Sequence, residues 1–357
     1  MKSTKWIKIF FGLSLIGVLF VGGFNYLYDR YSIFDYNTKY YSEEPNQNFI
    51  KMSLLLNKVI KYDSLIFGSS RVGKINPLSI KNANYYNMTY SEGLPREHYL
   101  NIQALIKKNI KIKNLIIGLD DFSYQVNPLT HEQQPMRRIH YKASNTNIFN
   151  FYNMYLGLLP NLDSIKKKLQ CYSNKNNCGF YDFYKTGMPI VPVEIETKIE
   201  ENVIDHVNNK IFDNPTRYRG NYLEKTINDI KMIVKLCKAN NINLILFINP
   251  IHKTTYIDTN FELFIDFKRQ LIDLANYYDF SGFNSVTNNN YFWYETSHYR
   301  TIVGNFISAK IFNDKSVEVP EDFGVLVTKD NIDEHLENLR KQIEEYDLLK
   351  LGIDSNK

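Results

Sequence analysis

Charge of one sign, cysteine and internal repetition are what this sequence has little of. No basic helix and no polybasic run occurs anywhere in its 357 residues, which removes nucleic acid from the partners to consider. The net charge is +5, but Lys2, Lys5, Lys8, Asp29 and Arg30 supply +3 of it and the remainder is nearly balanced. The three cysteines have neither the spacing nor the neighbouring histidines of a zinc site. No segment repeats. From Ile9 to Tyr28 charge is missing altogether for twenty residues.

A helix of that length crosses about 30 Å of hydrocarbon at about 1.5 Å per residue. Three lysines precede it and a single arginine follows closely, a bias that keeps the amino terminus in the cytoplasm and the body outside. A cleaved signal peptide is the competing reading. Against it, the apolar stretch exceeds a usual h-region and no Ala-x-Ala site follows. Residues 1–30 are therefore read as a cytoplasmic tip and single-pass anchor in the cytoplasmic membrane. Outside the cytoplasm Cys171 and Cys178, which flank a polar loop, can be oxidised to a disulfide worth about 2–3 kcal/mol. Cys237 falls on an apolar helical stripe and reads as a buried structural thiol.

With 44% hydrophobic and 23% charged residues the rest is globular. After a Tyr-rich stalk over 31–48, the pattern predicts a helix over 49–61 and strands over 65–67 and 84–88. A helix over 97–108 and a strand over 112–118 follow. Strand, helix, strand with short links is the signature of a parallel βαβ unit. The rhythm breaks over 122–220, an aromatic-rich stretch too long for a structureless loop. It reads as an inserted subdomain over the active end of the sheet, its rings forming either a sugar platform or a core of their own. The rhythm resumes with a helix over 221–239, a strand over 242–248, a helix over 261–277, a strand over 279–283 and a helix over 301–312. Residues 316–357 form an extension whose amphipathic helix Asp330 is placed to cap. The fold class is α/β, with the main domain split between 49–121 and 221–315.

Two stretches carry chemistry. Ser64-Leu65-Ile66-Phe67-Gly68-Ser69-Ser70-Arg71 is a short apolar strand running into glycine and serines, which sets a hydroxyl at the carboxyl end of a parallel strand, where ligands bind. Glu295 and His298, three apart near the other end, let a carboxylate hold an imidazole. The alternative for the first is a loop or helix cap, and for His298 a structural role. Gly68-Ser69-Ser70-Arg71 resembles the Gly-Asp-Ser-Leu block of the SGNH/GDSL hydrolase superfamily. Glu295-x-x-His298 is similar to its closing Asp-x-x-His, and Gly118-Leu119-Asp120-Asp121 to its Gly-x-Asn-Asp block. The resemblance spans roughly residues 60–312, and extends to membrane-anchored polysaccharide O-acyltransferases and the teichoic-acid D-alanyl transfer proteins.

That resemblance implies a three-layer, flavodoxin-like fold with a parallel sheet of about five strands. It makes Ser70 the nucleophile, His298 the base and Glu295 the carboxylate that orients it. Thr89, Asp120 and Arg71 fall at the oxyanion pocket. Two departures stand out: Glu295 replaces an aspartate, and Asp120 replaces the asparagine that donates to the oxyanion. Asp120 could be protonated, turned away, or neutralised by Arg71; otherwise hydrolysis is lost. The implied activity is acyl transfer to or from a cell-surface glycan, with no metal and no cofactor. The implied partners are the membrane, an acylated donor or glycan acceptor, and a membrane-bound O-acyltransferase that exports the acyl group. An inactive scaffold in a surface-polymer assembly complex and a simple secreted esterase are the alternatives. His252 follows a strand end and reads as structural or pocket-lining. His98, His131, His140, His206 and His335 have no partner legible in sequence. Arg137-Arg138 reads as a solvated pair or a contact for an anionic polymer.

Overall fold

The computed structural model describes residues 2–36, 40–131, 133–144, 146–159 and 161–350. Residues 37–39 of the expected stalk, 132, 145 and 160 of the insertion, and 351–357 of the carboxyl-terminal extension lie outside these, as does Met1. Helix α1 (Lys2–Tyr28) is long and apolar enough to cross a membrane. Strand β1 (Tyr40–Tyr41) follows, then α2 (Gln47–Leu56), β2 (Ser64–Phe67), β3 (Tyr85–Asn87), α3 (Pro95–Lys107) and β4 (Asn114–Leu119). The insertion supplies α4 (Ile148–Leu156), α5 (Leu162–Ser173), β5 (Gly179–Tyr181), β6 (Pro189–Ile190) and α6 (Val193–Glu201). The α/β rhythm then returns with α7 (Leu223–Ala239), β7 (Asn243–Ile248), α8 (Phe261–Ile272), β8 (Tyr277–Asp279), α9 (Thr301–Phe312), β9 (Val325–Val327) and α10 (Ile332–Lys350).

The main sheet has the order β3-β2-β4-β7-β8-β9. Its first five strands pair parallel, in the 2-1-3-4-5 order of doubly wound folds whose ligands sit where the order reverses. That reversal lies between β2 and β4. Alternation along the strands sorts the core into two layers. Leu65, Phe67, Leu115, Ile117, Leu246 and Ile248 face α2, α3, α7, α8 and α10. Ile66, Ile116 and Phe247 face α9 on the other side. Period-2 side chains of a buried strand must point to opposite faces, so both faces are apolar.

The sheet has six strands, not about five. The sixth, β9, runs antiparallel along the edge of β8 and comes from the extension after residue 315. Three residues, two of them exposed, are too few to show a period. Strand β8 ends at Asp279, where a strand over 279–283 was expected, because Gly282 turns the chain with φ +87°. Asn331, not Asp330, is the residue that precedes α10, and its backbone carbonyl takes the His335 N–H at 2.9 Å.

Residues 31–36 and 40–48 are packed down instead of standing free. Ile33 and Tyr41 are buried, and β1 pairs with β5 of the insertion. Among the described residues the insertion shows no core separate from the main one. Phe151, Tyr155 and Phe183 join the cluster that includes Phe49 and Ile50 of α2, and Phe49 stacks on Phe151 at 5.1 Å. These three rings are therefore turned inward, whereas Phe149, Tyr172 and Tyr184 are exposed. Cys171 and Cys178 are bonded, and burial pushes the Cys237 thiol up to about 12.

Candidate active site

The turn after β2 needs glycine at position 68. Its φ is +150°, and a Cβ there would come within 2.5 Å of the Val72 side chain. Beyond it the two serines separate. Ser69 is fully buried and its Oγ accepts the Arg71 N–H at 3.2 Å, so it serves the turn. Ser70 is only partly buried, with its hydroxyl free to act.

The second half of the site is a loop stiffened by its own bonds. Trp293 is buried and bridges Tyr299, while its indole N–H donates to Val286 O at 3.0 Å. The Tyr294 N–H reaches His298 O at 2.9 Å, and the Arg300 N–H reaches Phe292 O at 2.8 Å. This hairpin carries the imidazole to β2: His298 Nε2 lies 2.8 Å from Ser70 Oγ. Nδ1 is bonded to Glu295 Oε1, and the other carboxylate oxygen takes the Ser297 N–H at 2.6 Å. A carboxylate only accepts, so Nδ1 carries the ring proton and Nε2 is left as acceptor for the serine proton. Burial pushes the Glu295 carboxyl up, but its bonds to His298 and Ser297 prevail and hold it below the ordinary glutamate range.

The expected oxyanion residues are placed differently. Thr89 is at the end of β3, but both its donors are spent on Asn87 Oδ1, the N–H at 3.0 Å and the hydroxyl at 2.5 Å. Asp120 is fully buried. Its Oδ1 takes Arg71 Nη1 at 3.2 Å and Asn249 Nδ2 at 3.0 Å, and Tyr299 OH in turn donates to Asn249. Burial lifts the Asp120 carboxyl to about 6 although Arg71 opposes it. Arg71 also holds Asp121 at 2.6 Å and lies over the Phe122 ring. Its guanidinium thus pairs with both carboxylates, offsetting one of their two charges, and is itself buried. The Ser70 N–H makes no backbone hydrogen bond among the described residues.

Other residues escaped the sequence. Lys51 on α2 is fully buried, donates to Thr89 O, and is pulled well below the usual lysine range by burial. Lys74 lies over the Tyr294 ring, and burial draws it to about 8 against the pull of Glu196 and Glu295. Lys74 and Glu196 line a cavity of about 540 Å³ with Met188, Pro189 and Ile190 of the insertion. None of these carries a local signal; each matters only through what folds onto it. His252 is buried, stacks on Phe212 and bonds Asn290 at 2.9 Å, which is a structural role. Arg137 is not a solvated side chain: it pairs with Glu92 at 3.0 Å. Among the described residues no group of three or more His, Cys, Asp or Glu side chains is placed to hold a metal.

His131 has a buried partner after all, Glu97, at 2.6 Å, with Glu92 at 3.5 Å. Burial disfavours its charge, yet the two carboxylates outweigh that and raise its pKa to about 9. The unfolded histidine titrates near about 6.5. Stability from this group is complete below that pH and is lost as pH rises through the folded value, on the order of 3 kcal/mol in all. The melting temperature should therefore decline between about pH 6.5 and 9, and His131→Gln should flatten that decline. An unchanged slope in the variant would dismiss the assignment.

No protein-family model matches the chain, and no curated protein matches it.

Proposed function

We propose that this chain is a membrane-anchored serine acyl-transfer enzyme of SGNH/GDSL type, its catalytic body outside the cytoplasmic membrane, acting on an ester of a cell-surface glycan. The observation that carries the reading is the Ser70–His298–Glu295 line, three side chains in hydrogen-bonded sequence at the carboxyl end of β2. The apolar helix α1 and the lysines before it support the anchor and its orientation.

In this mechanism Ser70 Oγ attacks the ester carbonyl while its proton passes to His298 Nε2. Glu295 stabilises the imidazolium that forms, and the Ser70 N–H faces the developing oxyanion. Collapse breaks the ester bond, the leaving alcohol takes the proton from Nε2, and an acyl-serine remains. A sugar hydroxyl, or water, then gives its proton to His298 and releases Ser70. A membrane-bound O-acyltransferase would supply the acyl group.

One observation favours the inert-scaffold reading: Thr89 and Asp120 offer no donor to an oxyanion, and losing one such donor usually costs about 3–4 kcal/mol. A fluorophosphonate probe decides between them. Labelling of the full chain in detergent that vanishes in Ser70→Ala and survives in Ser69→Ala supports the enzyme. A folded wild-type chain that takes no label makes it a scaffold.

A further inference from the structure

Helix α1 is exposed from residue 4 through residue 20, and from Val21 onward it is partly covered. The cover is α4 and the turn that follows, packed along its last two turns. Asn25 is only 7% exposed, and its amide donates to Leu156 O at 2.8 Å and Leu158 O at 2.6 Å. Lys168 of α5 adds a bond to Tyr28 O. The two bodies are thus joined by saturated polar contacts rather than by a free tether.

Depth follows from the register. Val21 lies about 10 Å along the helix before Tyr28, the end of the uncharged stretch. If that stretch spans hydrocarbon, whatever touches Val21 to Asn25 sits at acyl-chain depth. An amide there must find its acceptors within the protein, as Asn25 does. The surface of the insertion beside it is apolar and outward: Phe149 is 74% exposed, Leu159 85% and Leu162 82%. Clustered exposure of this kind marks an interaction face. The neighbouring turn of α5 carries exposed Lys166 and Lys167, suited to the phosphate level just above it.

We propose that α4, Leu158, Leu159 and the start of α5 are embedded in the bilayer beside α1, with Phe149, Leu159 and Leu162 in contact with lipid acyl chains. The proposal rests on the reading that α1 crosses a membrane. The occupant is lipid because this face continues the lipid-facing surface of α1. Its consequence is orientation. The bonds from Asn25 and Lys168 fix the body against the end of the span, and Arg30 just beyond it pairs with Glu43. The catalytic serine is then held at a set height over the bilayer, facing substrates at the membrane surface.

The full chain in phosphatidylglycerol nanodiscs tests this. Single nitroxide labels go on Phe149→Cys, Leu159→Cys, Val18→Cys in the span and Val325→Cys on β9; Cys171 and Cys178 are bonded and Cys237 is buried. Power saturation by oxygen against a water-soluble nickel complex reads depth. Labels at 149 and 159 should saturate as the one at 18 does, and the one at 325 as in water. Aqueous labels at 149 and 159 with a lipid-exposed label at 18 overturn the proposal and leave the span intact. An aqueous label at 18 removes the span and the proposal together. Spin–spin broadening at 149 that disappears on dilution with unlabelled chain assigns the face to a second copy, and overturns it too.

Discussion

Replacing His298 with alanine should slow acylation of Ser70 by roughly 10⁴-fold or more, read as the pseudo-first-order rate of fluorophosphonate labelling. A serine hydroxyl is a weak nucleophile at neutral pH, and His298 Nε2 lies 2.8 Å from that of Ser70. Glu295→Gln should leave the fold intact and approach the same loss. The amide can present an N–H to Nδ1, which turns the imidazole to the tautomer that cannot accept from Ser70. In the proposed mechanism the three act as one unit, so His298→Ala combined with Glu295→Gln should be little slower than His298→Ala alone. A His298→Ala chain that labels at the wild-type rate would remove the imidazole from the mechanism.

The second large effect concerns stability, far from the serine. Lys268 of α8 is wholly buried, bonded to Asp279 and, at 2.6 Å, to Ser281 Oγ; His335 of α10 reaches the same aspartate at 2.8 Å. Burial pushes Asp279 up, but Lys268 and His335 outweigh it and hold the carboxyl far below the usual range. Asp279→Ala strands an ammonium in the core and should cost about 3–5 kcal/mol, lowering the melting temperature by roughly 10 °C. Lys268→Met combined with Asp279→Leu should recover most of that, since the desolvation of both charges is then avoided. Calorimetry of the full chain separates the two. A single variant that melts within about 2 °C of wild type would show that water or a rearranged side chain reaches Lys268.

The strands around the site were legible because their signals are local. Leu65 to Phe67 and Leu115 to Ile117 are unbroken apolar runs, as a strand covered on both faces requires. Glu295 and His298 could be paired because three residues are within one turn's reach. The stalk and the sixth strand were misread for the opposite reason. Tyr40–Tyr41 and Val325–Val327 become strands only by pairing with β5 and β8, segments distant in the chain. The buried pairs His131–Glu97 and His335–Asp279 were invisible likewise, each joining residues on different elements.

Residue order alone determined the long apolar amino-terminal helix, the α/β rhythm and the spacing that singles out positions 70, 295 and 298. These depend on periodicity and spacing along a few neighbouring residues. Tertiary structure decided that Ser70 and His298, 228 positions apart, touch. It also decided that Thr89 spends its donors on Asn87 and that Asp120 is held by Arg71 and Asn249. Which groups a donor or acceptor meets in space depends on how the parallel strands are ordered, something no window of sequence contains.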